Sequence, residues 1–176
     1  MQKIKHIYKG RLVSLMQKRV KLPNGYTVDL EVIWHPGAAL VIPFLNRDTI
    51  IFLRQFRPVI NKYLYELPAG TLKEGEGPLT CARREIIEET GYSAKKFTFL
   101  GKIYPVPGYS TEEINIYKAS DLKKEHPLPE QDEIITSMAL KKSEVMRLFK
   151  RGRITDAKTI CALAMCGMYT ADIREG

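Results

Sequence analysis

Residues 70–92 read GTLKEGEGPLTCARREIIEETGY, and this stretch determines much of the predicted fold. Gly77 and Pro78 predict a helix start, because proline is favoured at the first helical position, where its missing N–H costs little. Gly91 predicts the helix end, because glycine adopts the left-handed conformation without strain. Residues 67–75, which precede the helix, read as a strand ending in a glycine-bearing loop. The sequence therefore predicts a strand–loop–helix unit.

Three glutamates lie inside the predicted helix, at Glu85, Glu88 and Glu89. Their i, i+3, i+4 spacing puts the carboxylates on one face of a helix with about 3.6 residues per turn. Crowded carboxylates repel one another unless a cation lies among them, and such oxygen ligands suit Mg²⁺ or Mn²⁺. The alternative is a solvated acidic face with ordinary salt bridges, such as Arg84 with Glu88. The glycine-bearing loop before the helix favours the metal site.

The spacing of seven residues in this stretch matches the pattern of a known family. They are Gly70, Glu76, Arg84, Glu85, Glu88, Glu89 and Gly91. The stretch resembles a complete Nudix box, the signature of the Nudix hydrolases, which cleave nucleoside diphosphates linked to another group. The resemblance implies an α+β protein with the Nudix fold, an α/β/α sandwich with a mixed central sheet. The box helix is expected on one face of the sheet and the last helix on the other.

Four further segments are similar to the ADP-ribose pyrophosphatases, a Nudix subfamily, so the resemblance extends through nearly the whole chain. They are residues 53–58, residues 66–70, the N-terminal β segment and residues 104–113, where Pro107 lies fifteen positions beyond Tyr92. The resemblance implies that a metal-activated water hydrolyses ADP-ribose to AMP and ribose 5-phosphate. It implies Mg²⁺ as the cofactor, with Mn²⁺ as a substitute. It also implies a homodimer in which the N-terminal segment is exchanged between subunits.

The resemblance also implies the catalytic residues. The metal ligands would be the backbone carbonyl of Ala69 and the carboxylates of Glu85, Glu88 and Glu89. Arg84 would orient these glutamates rather than contact the substrate. In the subfamily a glutamate on a mobile loop after the box is the general base. Here Glu133 is chosen because it borders a predicted strand, and Glu130 and Asp132 are the alternatives.

Substrate contacts are expected outside the box. Arg54 and Arg57 are candidates for the diphosphate, because a planar guanidinium makes bidentate contacts, although both could be exposed strand-end charges. Trp34, the only tryptophan, could stack on the base from either subunit, and the alternative is a core tryptophan. The other substrate-binding candidates are Glu66, Pro107 and Tyr109. For Pro107 the alternative is ordinary loop rigidity.

The chain has 176 residues, of which 44% are hydrophobic and 27% charged, as in a small globular enzyme. Residues 1–37 predict an antiparallel β segment that dimerises, and residues 38–176 the Nudix domain. Ser143 is predicted to cap a helix through about Lys150, and Asp156 a last helix through about Tyr169. No signal-like segment or membrane span is expected, since a span takes roughly 20 apolar residues. A cytoplasmic enzyme without a membrane partner is therefore predicted.

The net charge of +8 comes from scattered basic residues without a nucleic-acid recognition motif, so no nucleic-acid partner is expected. A positive field would help to attract an anionic diphosphate substrate. Three alternatives stay open. The protein could hydrolyse another nucleotide sugar such as GDP-mannose, because the metal site is indifferent to the base. It could be a non-catalytic nucleotide-sensing Nudix domain, which the intact box disfavours, or an RNA-processing Nudix enzyme.

Overall fold

The computed structural model describes residues 4–126 and 133–168, which form three sheets and three α-helices. The first sheet contains β1 (Ile4–Lys9), β2 (Ser14–Lys21) and β3 (Thr27–Trp34). The second contains β5 (Thr49–Arg57), β6 (Lys62–Glu66) and β10 (Ile135–Lys141), in the order β10-β5-β6. The third contains β4 (Ala38–Pro43), β7 (Ala69–Thr71), β8 (Tyr92–Ile103) and β9 (Ile114–Lys124), in the order β7-β4-β9-β8. The helices are α1 (Pro78–Thr90), α2 (Lys142–Lys150) and α3 (Ala157–Met165), and a 3-10 turn spans Pro58–Ile60.

The four-stranded sheet is mixed and lies between two helices. Strand β4 runs parallel to β9 and antiparallel to β7, and all six of its residues are buried. Its alternate side chains point to opposite faces. Leu40 and Ile42 share a core cluster with residues of α3, whereas Ala39 and Val41 share one with residues of α1. The predicted α/β/α sandwich, with the box helix and the last helix on opposite faces, is confirmed.

Helix α1 has the predicted ends. Gly77 is its N-cap residue and Pro78 is its first residue. Gly91 adopts the left-handed conformation with a φ of 72°, and its N–H donates to the Ile87 carbonyl at 2.9 Å. Both ends follow from local backbone chemistry, because proline starts a helix easily and glycine ends one without steric strain.

The prediction that Ser143 caps α2 is wrong. The helix begins at Lys142, so Ser143 lies inside its first turn, and Lys141 is the N-cap residue. The Glu144 carboxylate accepts a hydrogen bond from the Lys141 backbone N–H at 2.9 Å. An acid in the first turn thus satisfies this helix end in place of a serine hydroxyl.

The prediction that Asp156 caps the last helix is confirmed. Its carboxylate accepts a hydrogen bond from the Thr159 backbone N–H at 3.0 Å, which satisfies an N–H that has no partner within the helix. The α-helical residues end at Met165, short of the predicted end. Tyr169, where the helix was predicted to end, lies outside the described residues.

The N-terminal sheet shares no strand ladder with the other two sheets in the described residues, and a single isolated bridge joins Ile33 to Ser110. Apolar side chains of this sheet are exposed in the single chain, with Ile7 at 51% and Tyr8 at 63%, as is Leu12 at 52% in the connection between β1 and β2. The division of the chain at residue 37 into an N-terminal dimerising segment and a Nudix domain stays a prediction. None of the helices in the described ranges is long and apolar enough to cross a membrane.

Candidate active site

Strand β7 and helix α1 meet at the first glycine of the box. A Cβ atom at residue 70 would lie only 1.7 Å from Oε1 of Glu85, so no residue other than glycine leaves room for this carboxylate. The thiol of Cys81 donates to the Gly70 carbonyl at 3.4 Å and holds the helix against the strand. The glycine is therefore needed for close approach of a buried carboxylate.

Arg84 contacts three glutamates of the box at once. Its Nε and Nη2 donate to the two carboxylate oxygens of Glu76, each at 2.9 Å. Its Nη1 donates to Glu85 and, at 2.9 Å, to Glu88. The hydrogen bonds from Arg84 hold the pKa of Glu76 at about 2, so this pair stays ionised. This arrangement fixes the guanidinium between the loop and the helix, and the orienting role of Arg84 stays a prediction.

Glu85 and Glu89 are ionisable groups in a poorly solvated place, with 8% and 5% of their surface exposed. Burial raises the pKa of Glu85 to about 7 and raises the pKa of Glu89 well above its ordinary range. Repulsion adds to both shifts, from Glu88 on Glu85 and from Glu85 on Glu89. A divalent cation among these oxygens would favour their charged forms, so the donor set suits a hard cation such as Mg²⁺.

The predicted metal ligands make other contacts in this structure. The carboxylates of Glu85 and Glu88 accept hydrogen bonds from Arg84, and Glu89 accepts one from the Ala69 N–H at 2.9 Å. In the described ranges, no three acidic, histidine or cysteine side chains converge as a ready-made metal site. Ala69 and the three glutamates are nevertheless neighbours, and their role as ligands stays a prediction.

Glu133 lies near the same carboxylates. Its charge contributes to the raised pKa values of both Glu85 and Glu89. The backbone beside it is anchored to the second sheet, because the Phe56 N–H donates to the Ile134 carbonyl at 3.0 Å. The fold thus brings the predicted general base to the box helix. The alternatives Glu130 and Asp132 lie outside the described residues.

Arg57 and Glu66 form a bidentate ion pair beside these carboxylates. Nε and Nη2 of Arg57 donate to the two oxygens of Glu66 at 2.8 and 2.6 Å. Burial is the largest influence on Glu66 and opposes its ionisation, but the hydrogen bonds and charges of Arg57 and Lys158 together outweigh it, so the pKa of Glu66 is below its ordinary value. The charge of Arg57 also acts to lower the pKa of Glu89, so the guanidinium lies close to the box helix.

Arg54 lies apart from this group. It stands three residues before Arg57 in β5, and an odd separation in a regular strand puts two side chains on opposite faces. The guanidinium of Arg54 stacks on Tyr63, with its central carbon 4.0 Å from the ring centroid. Of the two predicted diphosphate contacts, only Arg57 is brought to the box helix of this chain.

Trp34, Pro107 and Tyr109 are exposed at one end of the mixed sheet. Trp34 is 45% exposed, so it is not a core tryptophan. Its neighbour Ile33 binds the loop through two backbone hydrogen bonds, one of them donated to the Tyr109 carbonyl at 2.7 Å. The loop then joins the start of β4, where the Ala38 N–H donates to the Glu113 carbonyl at 2.9 Å. Ala38 also pairs with Thr71 of β7, the strand that carries Gly70. Trp34, Pro107 and Tyr109 therefore lie toward the end of β4 that is next to the box.

Sequence patterns missed part of this site. Lys158 donates hydrogen bonds to Glu66 and, at 2.8 Å, to Asp156. The Thr159 hydroxyl accepts a hydrogen bond from the Leu67 N–H at 2.9 Å. Only Asp156 carried a local signal, as a helix cap. No spacing rule could have linked Lys158 to Glu66, because 92 residues separate them.

A surface cavity of about 780 Å³ lies elsewhere, at the opposite end of β4. Phe44, Lys118 and Lys142 contribute to its lining, and none of the box carboxylates does. Both lysine ammonium groups lie within 5.3 Å of the Phe44 ring centroid, so they cover the aromatic ring. The cavity therefore does not coincide with the predicted metal and substrate contacts.

A buried acidic cluster on a helix, suited to a divalent cation, is typical of metal-assisted hydrolases that act on phosphate groups. The model of the NUDIX domain family matches residues 34–163. The chain therefore belongs to the Nudix family, and it is a Nudix hydrolase.

Several curated proteins are similar to this chain. The methanol dehydrogenase activator of Bacillus methanolicus is 37% identical over 92% of this chain and 88% of its own length. The ADP-ribose pyrophosphatase of Bacillus subtilis is 35% identical over 89% and 86%, and a GDP-mannose pyrophosphatase of Escherichia coli is 33% identical over 86% and 93%. A crystal structure of an ADP compounds hydrolase shares the fold, with a TM-score of 0.80 over 94% of this chain and 90% of that one at 24% identity.

Proposed function

We propose that this enzyme hydrolyses the diphosphate of ADP-ribose with Mg²⁺ as its cofactor. The observation that carries the proposal is that Glu133 and Arg57 lie near enough to Glu85 and Glu89, beside the glycine-bearing strand, for their charges to act on these carboxylates. In the reaction, a water oxygen bonds to one phosphorus atom and the bond from that phosphorus to the bridging oxygen breaks. The products are AMP and ribose 5-phosphate. The similarity to proteins named ADP-ribose pyrophosphatases supports this substrate.

The box residues would bind the metal. Glu85, Glu88 and Glu89, with the carbonyl of Ala69, would hold the ion, and Arg84 would keep the glutamates oriented. A bound divalent cation neutralises phosphate oxygens and lowers the pKa of water. Mn²⁺ has the same preference for oxygen ligands and is expected to substitute.

Residues outside the box would bind the substrate and transfer the proton. Glu133 would remove a proton from the attacking water, since its carboxylate lies near those of the box. Arg57 would bind the diphosphate beside Glu66. The exposed ring of Trp34, together with Tyr109 and Pro107, would contact the nucleoside.

The enzyme is proposed to be a cytoplasmic homodimer. The three-stranded N-terminal sheet and its β1–β2 connection leave Ile7, Tyr8 and Leu12 exposed, and a small sheet needs a partner surface to be stable. A second copy of the chain would cover this apolar surface. Since Trp34 ends β3, the same contact would place the tryptophan close to a subunit boundary.

GDP-mannose is the second candidate substrate. The box carboxylates and Arg57 would contact only the metal and the diphosphate, which the two substrates share. The similarity to a protein named GDP-mannose pyrophosphatase supports this alternative. Discrimination between the bases would fall to the exposed loop that carries Pro107 and Tyr109.

The test is a substrate panel. Purified protein with Mg²⁺ is incubated with ADP-ribose, GDP-mannose, NADH and dinucleoside polyphosphates, and the products are identified by chromatography. The proposal expects AMP and ribose 5-phosphate from ADP-ribose, and hydrolysis in ¹⁸O-labelled water would locate the attacked phosphorus. Efficient turnover of another member of the panel, without turnover of ADP-ribose, would refute the proposed substrate. No turnover of any member, beside nucleotide binding, would favour a non-catalytic sensor.

A further inference from the structure

Four charged side chains form a chain of contacts between β5 and the first turn of α3. Glu66, which is 1% exposed, accepts two hydrogen bonds from Arg57 and one from Lys158. Lys158 also donates to Asp156 at 2.8 Å, and the same aspartate caps α3. The network contains two positive and two negative charges, so its net charge is zero. Lys158 thus supplies the second positive charge next to the buried Glu66.

Arg57 uses only one edge of its guanidinium in this network. Its Nε and Nη2 donate to Glu66, and in the described ranges no hydrogen bond from Nη1 is found. The Arg57 side chain is 38% exposed, and its charge acts on the nearby carboxylate of Glu89. One edge therefore faces a buried anion while the other is available beside the box helix. A guanidinium held by one edge in this way is preorganised to bind phosphate oxygens.

Lys158 and Arg57 share the carboxylate of Glu66. A buried carboxylate needs positive partners, because an unpaired charge in a poorly solvated place is costly. With Lys158 present, Glu66 is shared between two cations. Without Lys158, Glu66 and Asp156 would both depend on Arg57, and the guanidinium would be drawn away from a bound diphosphate.

We propose that Lys158 is a positioning residue for the hydrolytic reaction, which acts through Glu66 to keep Arg57 available to the diphosphate of the substrate. The inference rests on the proposed function, in that a diphosphate is taken to bind beside Arg57. The first turn of α3 thereby becomes part of the substrate-binding apparatus, although Lys158 itself contacts no substrate.

The first test compares the kinetics of Lys158→Met with those of a matched control. Lys96→Met removes a lysine that forms an exposed ion pair with Asp121 at 3.0 Å on β8. Lys158→Met is expected to raise KM about tenfold and to change kcat less than about threefold, because a diphosphate contact acts in both the ground state and the transition state. Lys96→Met should leave both constants unchanged. A Lys158→Met enzyme with unchanged KM would overturn the proposal.

A double-mutant cycle separates positioning from a general structural effect. In an Arg57→Met background, Lys158→Met should raise KM by less than about twofold, because the residue through which it acts is missing. Lys158→Arg should restore KM to within about threefold of wild type, since it keeps the charge. A full tenfold effect of Lys158→Met in the Arg57→Met background would mean that Lys158 acts independently, and the proposal would be wrong.

A replacement variant and a free choice of substrate complete the test. If Lys158→Met fails to fold by circular dichroism, Lys158→Gln replaces it, and equal KM values for Lys158→Gln and Lys158→Arg would refute the role of the charge. The kinetics use whichever nucleoside diphosphate derivative the wild-type enzyme turns over best. A failure with ADP-ribose therefore refutes the proposed substrate, whereas additivity in the cycle refutes the positioning role.

Discussion

Replacing Gly70 with alanine would perturb the closest contact in the site. The new Cβ atom would lie 1.7 Å from Oε1, 2.0 Å from Cδ and 2.6 Å from Oε2 of Glu85. Ordinary van der Waals contact begins at 3.4 Å, so the Glu85 carboxylate would have to move by about 1.7 Å, the difference between the two distances. The backbone at Gly70 is not left-handed, so the substitution adds no left-handed backbone strain to this contact.

A shift of this size would remove Glu85 as a metal ligand. Metal–oxygen distances tolerate deviations of only about 0.2 Å. Misplacement of a catalytic group by about 1 Å can lower the rate about 10²-fold, so kcat/KM should fall at least about a hundredfold. The fold should tolerate the change, because the displaced atoms are the end of a flexible side chain. The melting temperature is expected to stay within about 4 °C of wild type, which corresponds to roughly 1 kcal/mol for a chain of this size.

Gly77→Ala is the matched control, since a Cβ atom there would meet nothing within 4 Å. Both variants are compared with wild type by steady-state kinetics over a range of Mg²⁺ concentrations and by thermal melting. Gly77→Ala should retain near-normal kcat/KM, and excess Mg²⁺ should not rescue Gly70→Ala. A Gly70→Ala enzyme with more than about a third of wild-type kcat/KM would show that the position of the Glu85 carboxylate does not limit the reaction.

Four further predictions follow from the site and the N-terminal sheet. Glu89→Gln should abolish most activity without unfolding the protein, and near-normal turnover at saturating Mg²⁺ would show that Glu89 is not a ligand. Glu133→Gln should lower kcat about 10²–10⁴-fold with little change in KM, as expected for a general base, and a loss below about threefold would assign that role elsewhere. The free energy of unfolding should fall as the pH is lowered from 4.5 to about 2, because Arg84 stabilises the ionised form of Glu76, which is lost in that window. In acid titrations, Glu76→Gln should weaken this dependence of stability on pH. Sedimentation at micromolar concentration should show a dimer, and a monomer would contradict the role given to the exposed apolar residues of the N-terminal segment.

The sequence was sufficient to predict those features that depend on residues close together in the chain. The ends of α1 follow from Gly77, Pro78 and Gly91, and the start of α3 from Asp156, because capping involves groups only a few residues apart. The short range of capping interactions also explains why the prediction that Ser143 caps α2 was wrong. Two capping solutions were locally available there, and Glu144 at the third helical position took the place of the serine.

The alternation of side chains between the two faces of a strand could also be predicted from the sequence. It would have separated Arg54 from Arg57, because their spacing of three residues assigns them to opposite faces. Alternation alone could not say which face meets the box helix. That depended on how the second sheet packs beside α1, and the structure places Arg57 there.

The box pattern determined the family, the helix and the set of acidic residues, since all of these are encoded within residues 70–92. Only the tertiary structure decided that Gly70 leaves space for Glu85, that burial raises the pKa of Glu85 to about 7, and that Lys158 reaches Glu66 across 92 residues of chain. The physical reason is the distance along the chain over which each interaction acts. Capping and periodicity act over one or two helical turns, whereas burial, close approach and charge pairing depend on which distant strands and helices the fold brings together.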